Sequence, residues 1–298
     1  MAVTRSSWRP GKGRWGLVLT VLLAAAPPLA SAQQAKASGE QASQQSSQQS
    51  SQVDPRADRL LRKMGDFLAQ QREFSVHIDG TRDLVLESGQ KIQLNRSGDV
   101  HVQRPDRLRV DRSGDLARLH LYYDGRQLTL FGETNNAYAT APMPSNLDDT
   151  LDVASEQLGL DTPGADLLVS NPYAALSEDI VCGNYLGRSM LNGVPVHHLA
   201  FRNRDGVDWE LWVEDGDRPL PRRYVITTRD VTGGPQYAVT LSGWDLSPRF
   251  AQDEFRFSPP ADAMKVSFLA QSSQAGKSQG EQSQGEQSQG EEPQGGGK

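Results

Sequence analysis

The chain has one cysteine, Cys182, among its 298 residues. No intramolecular disulfide can form, so stability has to come from a packed core. Cys182 lies in the strand-like run Ile180-Val181-Cys182 and reads as a small buried hydrophobe, not a reactive thiol. Histidine is also scarce, with five copies. His77, His101 and His120 fall on the polar alternation of their strands. His197 and His198 are adjacent, so in a strand they point to opposite sides and cannot share one ion. No H-E-x-x-H and no Cys/His pairing occurs. No G-x-S-x-G elbow occurs either. Ala275-Gly276-Lys277-Ser278 imitates the end of a phosphate loop, but Gln271 stands where the first glycine belongs. Asp148, Asp149, Asp152 and Asp161 flank a helical stretch as caps and solvated faces, not as a glycosidase-type pair. No metal set, cofactor motif or nucleophile–base pair is legible, so the expectation is a non-enzyme without a cofactor.

Long apolar runs are missing too. The longest, at residues 15–23, falls short of the ~20 residues a membrane span needs. It follows the basic residues Arg5, Arg9, Lys12 and Arg14, and it precedes Pro27-Pro28 and the small-residue site Ala30-Ser31-Ala32. This is the layout of a secretory signal peptide, expected to span 1–32 and to be cleaved. The mature chain is then exported to the periplasm with no transmembrane segment. Removing those four cations, with no acid among them, moves the formal net charge from −6 to −10. A mildly acidic exported protein gives no reason to expect nucleic acid as a partner.

What is present is a patterned middle between two polar tails. Residues 33–53 are Gln, Ser and Ala with almost no large apolar side chain, so a disordered linker is expected. Residues 270–298 carry the unit S-Q-G-E-Q from Ser278 and Ser283, a low-complexity tail. Residues 54–269 make one globular unit, at about 215 residues large enough for a substantial core.

That unit should open with a helix. Asp54 is a good N-cap and Pro55 a good first residue, and Leu60, Leu61, Met64, Phe67 and Leu68 form one apolar stripe. Strands follow. Leu108/Val110, Leu119/Leu121 and Leu128/Leu130 each sit two apart, the period of a strand with one buried face. Asp124-Gly125 is a hairpin signal between two such runs. Phe74-Val76-Ile78 and Leu84-Leu86 read as one long strand or two, Ile92-Leu94 and Val100-Val102 read as further strand, and Tyr138 closes the block. Residues 145–173 break the rhythm with a helical insert. Leu147, Leu151, Ala154 and Leu158 keep helical spacing, Thr162-Pro163 starts a second short helix, and Pro172 interrupts it. From Ile180 alternation returns, with turns at Asn192-Gly193, Asp205-Gly206 and residues 232–234. The sum is about ten or eleven antiparallel strands joined by short turns, a mainly β protein with helices (α+β).

The order of these features resembles a known family. R-P-x-x-L-R-V at 104–110, Y-x-D-G-x-x-L-x-L-F at 122–131, the W-x-L-W-V run from Trp209 with Leu220-Pro221-Arg222-Arg223, and F-x-F-x-P-P at 255–260 are similar to the LolA/LolB-like half-barrels of Gram-negative periplasms. Residues 54–269 as a whole resemble the predicted periplasmic proteins with domain of unknown function 2092. In that resemblance, 255–260 corresponds to the closing strand. It implies a strongly curved antiparallel half-barrel wrapped around short helices, with an apolar concave face that receives acyl chains in the carriers.

The functional expectation is therefore a periplasmic, non-catalytic binding protein for a lipid acyl chain or lipoprotein anchor. Leu108, Val110, Leu128, Leu130, His197, Leu199, Phe201, Trp209 and Leu211 fall on the apolar alternation and are the expected ligand-binding residues. The alternative is an interaction or sensor module for envelope proteins, with the polar tails giving reach. The insert at 145–173, broken by prolines, is expected to be the part of the fold that opens.

Overall fold

The computed structural model describes residues 52–160 and 162–268. The expected signal peptide, nearly all of the linker, the repeat tail and Asp161 lie outside the described residues.

A two-residue strand, β1 (Gln52–Val53), lies just ahead of the first helix. Helix α1 (Pro55–Ala69) begins as its sequence demands. The Asp54 carboxylate accepts the Arg56 N–H at 2.7 Å, and Pro55 occupies the first turn, where its missing N–H costs nothing. Ala57, Leu61, Met64 and Leu68 are its buried stripe. Six strands follow as a meander: β2 (Glu73–Val85), β3 (Lys91–Gln103), β4 (Arg107–Gly114), β5 (Leu119–Tyr123), β6 (Gln127–Gly132) and β7 (Ala137–Pro142). The insert then comprises α2 (Leu147–Glu156), a 3-10 turn (Ala165–Leu167) and α3 (Pro172–Ser177). A second meander is built from β8 (Ile180–Leu191), β9 (Val194–Asn203), β10 (Val207–Glu214), β11 (Pro221–Thr228) and β12 (Gln236–Asp245), and β13 (Met264–Val266) ends the fold.

All strands belong to one sheet, in the order β1-β8-β9-β10-β11-β12-β2-β3-β4-β5-β6-β7-β13. The strands β2 to β12 pair antiparallel throughout, eleven of them, at the upper end of the expected range. The two short strands at the edges pair parallel. The meanders meet only where β12 lies beside β2, with Tyr237 opposite Arg82 and Leu241 opposite Ile78. The sheet therefore stays open, a half-barrel with the helices on its concave side. The expected hairpins form. Asn192 and Gly193 both take positive φ, and Asp124 Oδ1 accepts the N–H groups of Arg126 and Gln127 beside Gly125. Two glycines let the strands cross tightly: a Cβ on Gly80 would run into the Ala238 carbonyl, and one on Gly98 into that of Asp111.

Of the two readings open for Phe74 to Leu86, the single long strand forms: β2 and β3 are unbroken 13-residue strands, and the turn between them falls at Gly89 with positive φ. Two local expectations change. The second insert helix is only a 3-10 turn, and Pro172 opens α3 instead of interrupting a helix, with Asn171 Oδ1 capping Ala174 N–H. Residues 255–260 are not a strand. They belong to a strap that crosses the outer face of the first meander. Phe257 contacts Tyr122, Phe131 and Tyr138 there, Phe255 is buried, and Glu254 pairs with Arg109 and His101. The closing pairing falls later, at β13 beside β7.

Candidate functional site

The concave face has two halves, and the helices cover them differently. Over β8–β10 lies α1, with its fully buried Leu61, Met64 and Leu68 among the core side chains. Leu199, Phe201, Trp209 and Leu211 are buried in that core. The Phe201 and Trp209 rings stack at 4.3 Å, and Trp209 Nε1 donates to Asn203 Oδ1 at 2.9 Å. His197 bridges the Tyr185 hydroxyl and Asp215 Oδ1, each at 3.1 Å. These five expected ligand-binding residues thus pack in the core of the α1 half or bridge at its margin, and none lines the cavity described next. Their alternation reports a buried face, and α1 supplies the burial.

The other half is not filled. Between the first meander and the insert lies a cavity of about 310 Å³. The remaining four expected residues, Leu108, Val110, Leu128 and Leu130, all line it. Register explains the grouping. Val76, Val100, Val110, Leu121 and Leu130 stand opposite one another in a single row across β2 to β6. All five side chains lie on the cavity wall, because every second residue of a strand faces the same side. Val239 and Leu241 of β12 extend the floor, and Leu151 and Ala154 of α2, with Leu160, Leu167 and Leu168, make the roof.

The insert is fastened at several points. Arg104, the first residue of the R-P-x-x-L-R-V run, is half-buried. It donates to the carbonyls of Leu68 and Gln71 at the end of α1 and to those of Leu168 and Val169 beyond the 3-10 turn, at 2.6 to 3.1 Å. One guanidinium so ties the two helical covers together and satisfies four carbonyls of the kind that helix ends leave open. Burial lowers its pKa, and Asp148 nearby opposes that. The Tyr123 hydroxyl donates to the Pro144 carbonyl at 2.6 Å, Asp148 accepts from Ser170, and the Tyr173 hydroxyl donates to Asp58. Gly65 of α1 is needed where Tyr173 crosses, since a Cβ there would meet Tyr173 N at 2.7 Å.

One set of cavity residues is not foreseen from the sequence. Arg82, Arg96 and Arg112, on β2, β3 and β4, line one side of the cavity together with Tyr237. Gly80 stands opposite Arg96, and Gly98 opposite Arg112, so each of these two guanidiniums faces a neighbour without a side chain. Burial lowers the pKa of all three arginines, and mutual repulsion adds to this for Arg82 and Arg96, taking Arg96 to about 10. Burial holds the Tyr237 phenol protonated. The signal was available: R-S-G occurs at 96–98 and again at 112–114, and G-T-R at 80–82 is its reverse on the antiparallel neighbour. Taken one strand at a time, these arginines look like ordinary polar ends.

The histidines pair with carboxylates along the sheet. His77 with Asp99 and His120 with Asp111 are two such pairs. Among the described residues no group of three or more His, Cys, Asp or Glu is placed to hold a metal ion, and no helix is long and apolar enough to cross a membrane.

The family model described as "Predicted periplasmic protein (DUF2092)" matches residues 57–269. No curated protein matches the chain. Among solved structures, an uncharacterized conserved protein from Thermus thermophilus is similar at 12% identity and a TM-score of 0.42, covering 71% of this chain and 98% of that one. LprF from Mycobacterium bovis is similar at 12% identity and 0.42, with coverage of 68% and 99%. The LolA superfamily protein NE2245 from Nitrosomonas europaea is similar at 13% identity and 0.32, with coverage of 67% and 96%.

Proposed function

The chain belongs to this family of predicted periplasmic proteins, and from that premise we propose that it is a non-catalytic binding protein for an apolar chain, the acyl chain of a lipid or the anchor of a lipoprotein. The observation that carries the proposal is the cavity of about 310 Å³ floored by leucine and valine under the insert. Its size is near the lower end of the ~300–1,000 Å³ of ligand pockets, which suits one acyl chain better than several. Each methylene removed from water contributes ~0.8 kcal/mol, so an apolar floor of this kind supplies affinity without covalent chemistry. Among the described residues, the titratable groups on its wall are arginines and a tyrosine, with no carboxylate, histidine or cysteine to act as base or nucleophile.

The proposed ligand-contacting residues are Leu108, Val110, Leu128 and Leu130, joined by Val100 and Leu121. The test is extraction of the protein purified from its own compartment, followed by lipid mass spectrometry, together with titration by a fluorescent fatty acid. Saturable uptake is expected, and Leu130→Trp, which fills the cavity, should weaken it by about tenfold or more without changing the circular dichroism. A protein that carries no lipid and takes up none would overturn the proposal.

A further inference from the structure

Among the described residues, the charge on the cavity wall is of one sign, while the chain as a whole carries a net charge of −6. Every charged side chain among the described residues that line the cavity is an arginine: Arg82, Arg96 and Arg112. They do not scatter along the wall. They come from three neighbouring strands and are stepped two residues at a time by the register: Arg112 stands opposite Gly98, two residues from Arg96, and Arg96 stands opposite Gly80, two residues from Arg82. Gathering like charges in a half-buried place is unfavourable in itself, since each guanidinium loses hydration and repels the next. Two half-buried arginines elsewhere are paired with carboxylates. Arg109 meets Asp111 and Glu254, and Arg222 meets Glu214. Among the described residues, Arg96 and Arg112 have no hydrogen-bond or ion-pair partner, and no carboxylate contributes to the field at either. Two desolvated forks of N–H donors therefore face a cavity with no carboxylate to meet them among the described residues. A guanidinium fork fits the oxygens of phosphate or carboxylate and is enriched wherever such anions are recognised.

The opposite end of the same cavity has no such groups. Leu108 and Leu128 are buried there, beside the fully buried Tyr123. The wall thus grades from aliphatic to cationic along the strands, and Arg112, opposite Leu119, sits one row from the Val110–Leu121 row. That gradient has the polarity of a single-chain amphiphile.

We propose that Arg96 and Arg112, with Arg82 and the Tyr237 hydroxyl beside them, form an anion subsite, and that the ligand is a single-chain amphiphile whose headgroup carries a phosphate or carboxylate. This rests on the acyl-chain reading above and deepens it. The apolar floor holds the chain, and the arginine step selects the head and fixes which end enters first.

The experiment compares amphiphiles of one chain length on the intact mature protein. Palmitate, lysophosphatidylglycerol and the uncharged monopalmitoylglycerol compete for the bound fluorescent fatty acid, and inorganic phosphate is titrated separately. The two anionic amphiphiles are expected to bind about tenfold tighter than the uncharged one, the worth of a charge-assisted hydrogen bond or two. Comparison of palmitate with lysophosphatidylglycerol tells carboxylate from phosphate. Arg96→Gln and Arg112→Gln should each reduce that preference while leaving the affinity for monopalmitoylglycerol within a factor of about two. Equal affinity for charged and uncharged heads would overturn the anion subsite while leaving the acyl-chain reading standing. Binding of none of the three would overturn both. Phosphate binding as tight as the amphiphiles would assign the arginines to a free anion and overturn the lipid version. The preference ratio is read on the unaltered protein, so the inference remains testable even where a substitution lowers stability. Arg96→Lys, which keeps charge but loses the fork, should fall between.

Discussion

The two halves of the concave face carry the same alphabet and end differently. Under α1, Leu199, Leu211, Phe201 and Trp209 close on the helix and are buried. Under the insert, Val100, Val110, Leu121 and Leu130 face a cavity. The difference lies in the cover. One is a continuous 15-residue helix with a full apolar stripe. The other is a ten-residue helix, a single 3-10 turn and a six-residue helix, with Gly159 and Gly164 at positive φ between the first two. A broken cover cannot push a continuous ridge of side chains into the sheet, and a continuous one can. Whether an alternating strand becomes core or cavity wall is thus decided by an element distant in sequence.

The strongest way to break that comparison is to remove one leucine from each half. Leu211→Ala should destabilise the fold by about 2–5 kcal/mol in urea denaturation, with little effect on ligand uptake, because it opens a void in a close-packed region. Leu130→Ala, on a wall already facing space, should cost well under that and should weaken ligand binding instead. Equal losses of stability would mean that the two halves are packed alike.

A smaller effect is expected from the tie between the covers. Arg104→Ala removes four donated hydrogen bonds; the Leu68 carbonyl keeps the Gln71 N–H, while those of Gln71, Leu168 and Val169 lose this donor, which should cost about 1–3 kcal/mol. The loss should be local. Hydrogen exchange should accelerate in residues 165–177 and at the end of α1 while the strands keep their protection. Uniform acceleration across the sheet would show that the insert and the sheet open as one unit.

Asp166 sharpens the same contrast through pH. It sits on the 3-10 turn, and burial raises its carboxyl pKa, with the charge of Asp152 acting in the same direction. A raised acid favours the folded state in its neutral form. Stability is therefore lost as pH rises from the ordinary carboxylate value of 3.8 through the folded-state pKa, and it stays lower at neutral pH. Asp166→Asn should raise the melting temperature at pH 7 and leave it nearly unchanged below pH 3.8. A fall at pH 7 would reverse this reading.

The smallest effect belongs to the outer face, which the two halves share. The His77 pKa is raised, chiefly by its 2.8 Å hydrogen bond to Asp99. A raised histidine contributes stability that is full below 6.5 and is lost as pH rises through its folded value. The pair is partly exposed, so about a few tenths of a kcal/mol is the expected scale. Proton NMR should place the His77 titration above 6.5, and Asp99→Asn should bring it down.

Much of this architecture was legible because local chemistry specified it. The Asp54-Pro55 start, the Asp124-Gly125 and Asn192-Gly193 turns, and the two-residue alternation each carry their own cause. The candidate site was half legible. Leu108, Val110, Leu128 and Leu130 line the cavity, whereas His197, Leu199, Phe201, Trp209 and Leu211 belong to the α1 half, and nothing in a strand's own period tells which cover it will meet. The arginine step escaped for another reason. Its members are 14 and 16 residues apart in sequence, and only the register of β2, β3 and β4 makes them neighbours.

The seam between β12 and β2 has a consequence for how the molecule comes into being. Each meander is made of neighbours in sequence and can pair within itself as soon as its strands are available, but Tyr237 meets Arg82 only after nearly the whole domain has been delivered. A chain that crosses a membrane N-terminus first must hold the apolar face of its first meander exposed until the second arrives. Contacts of such long range slow folding and lengthen exposure to aggregation. The rate-limiting event should be the docking of two preformed half-sheets, and a chaperone of the receiving compartment would have its work during that interval.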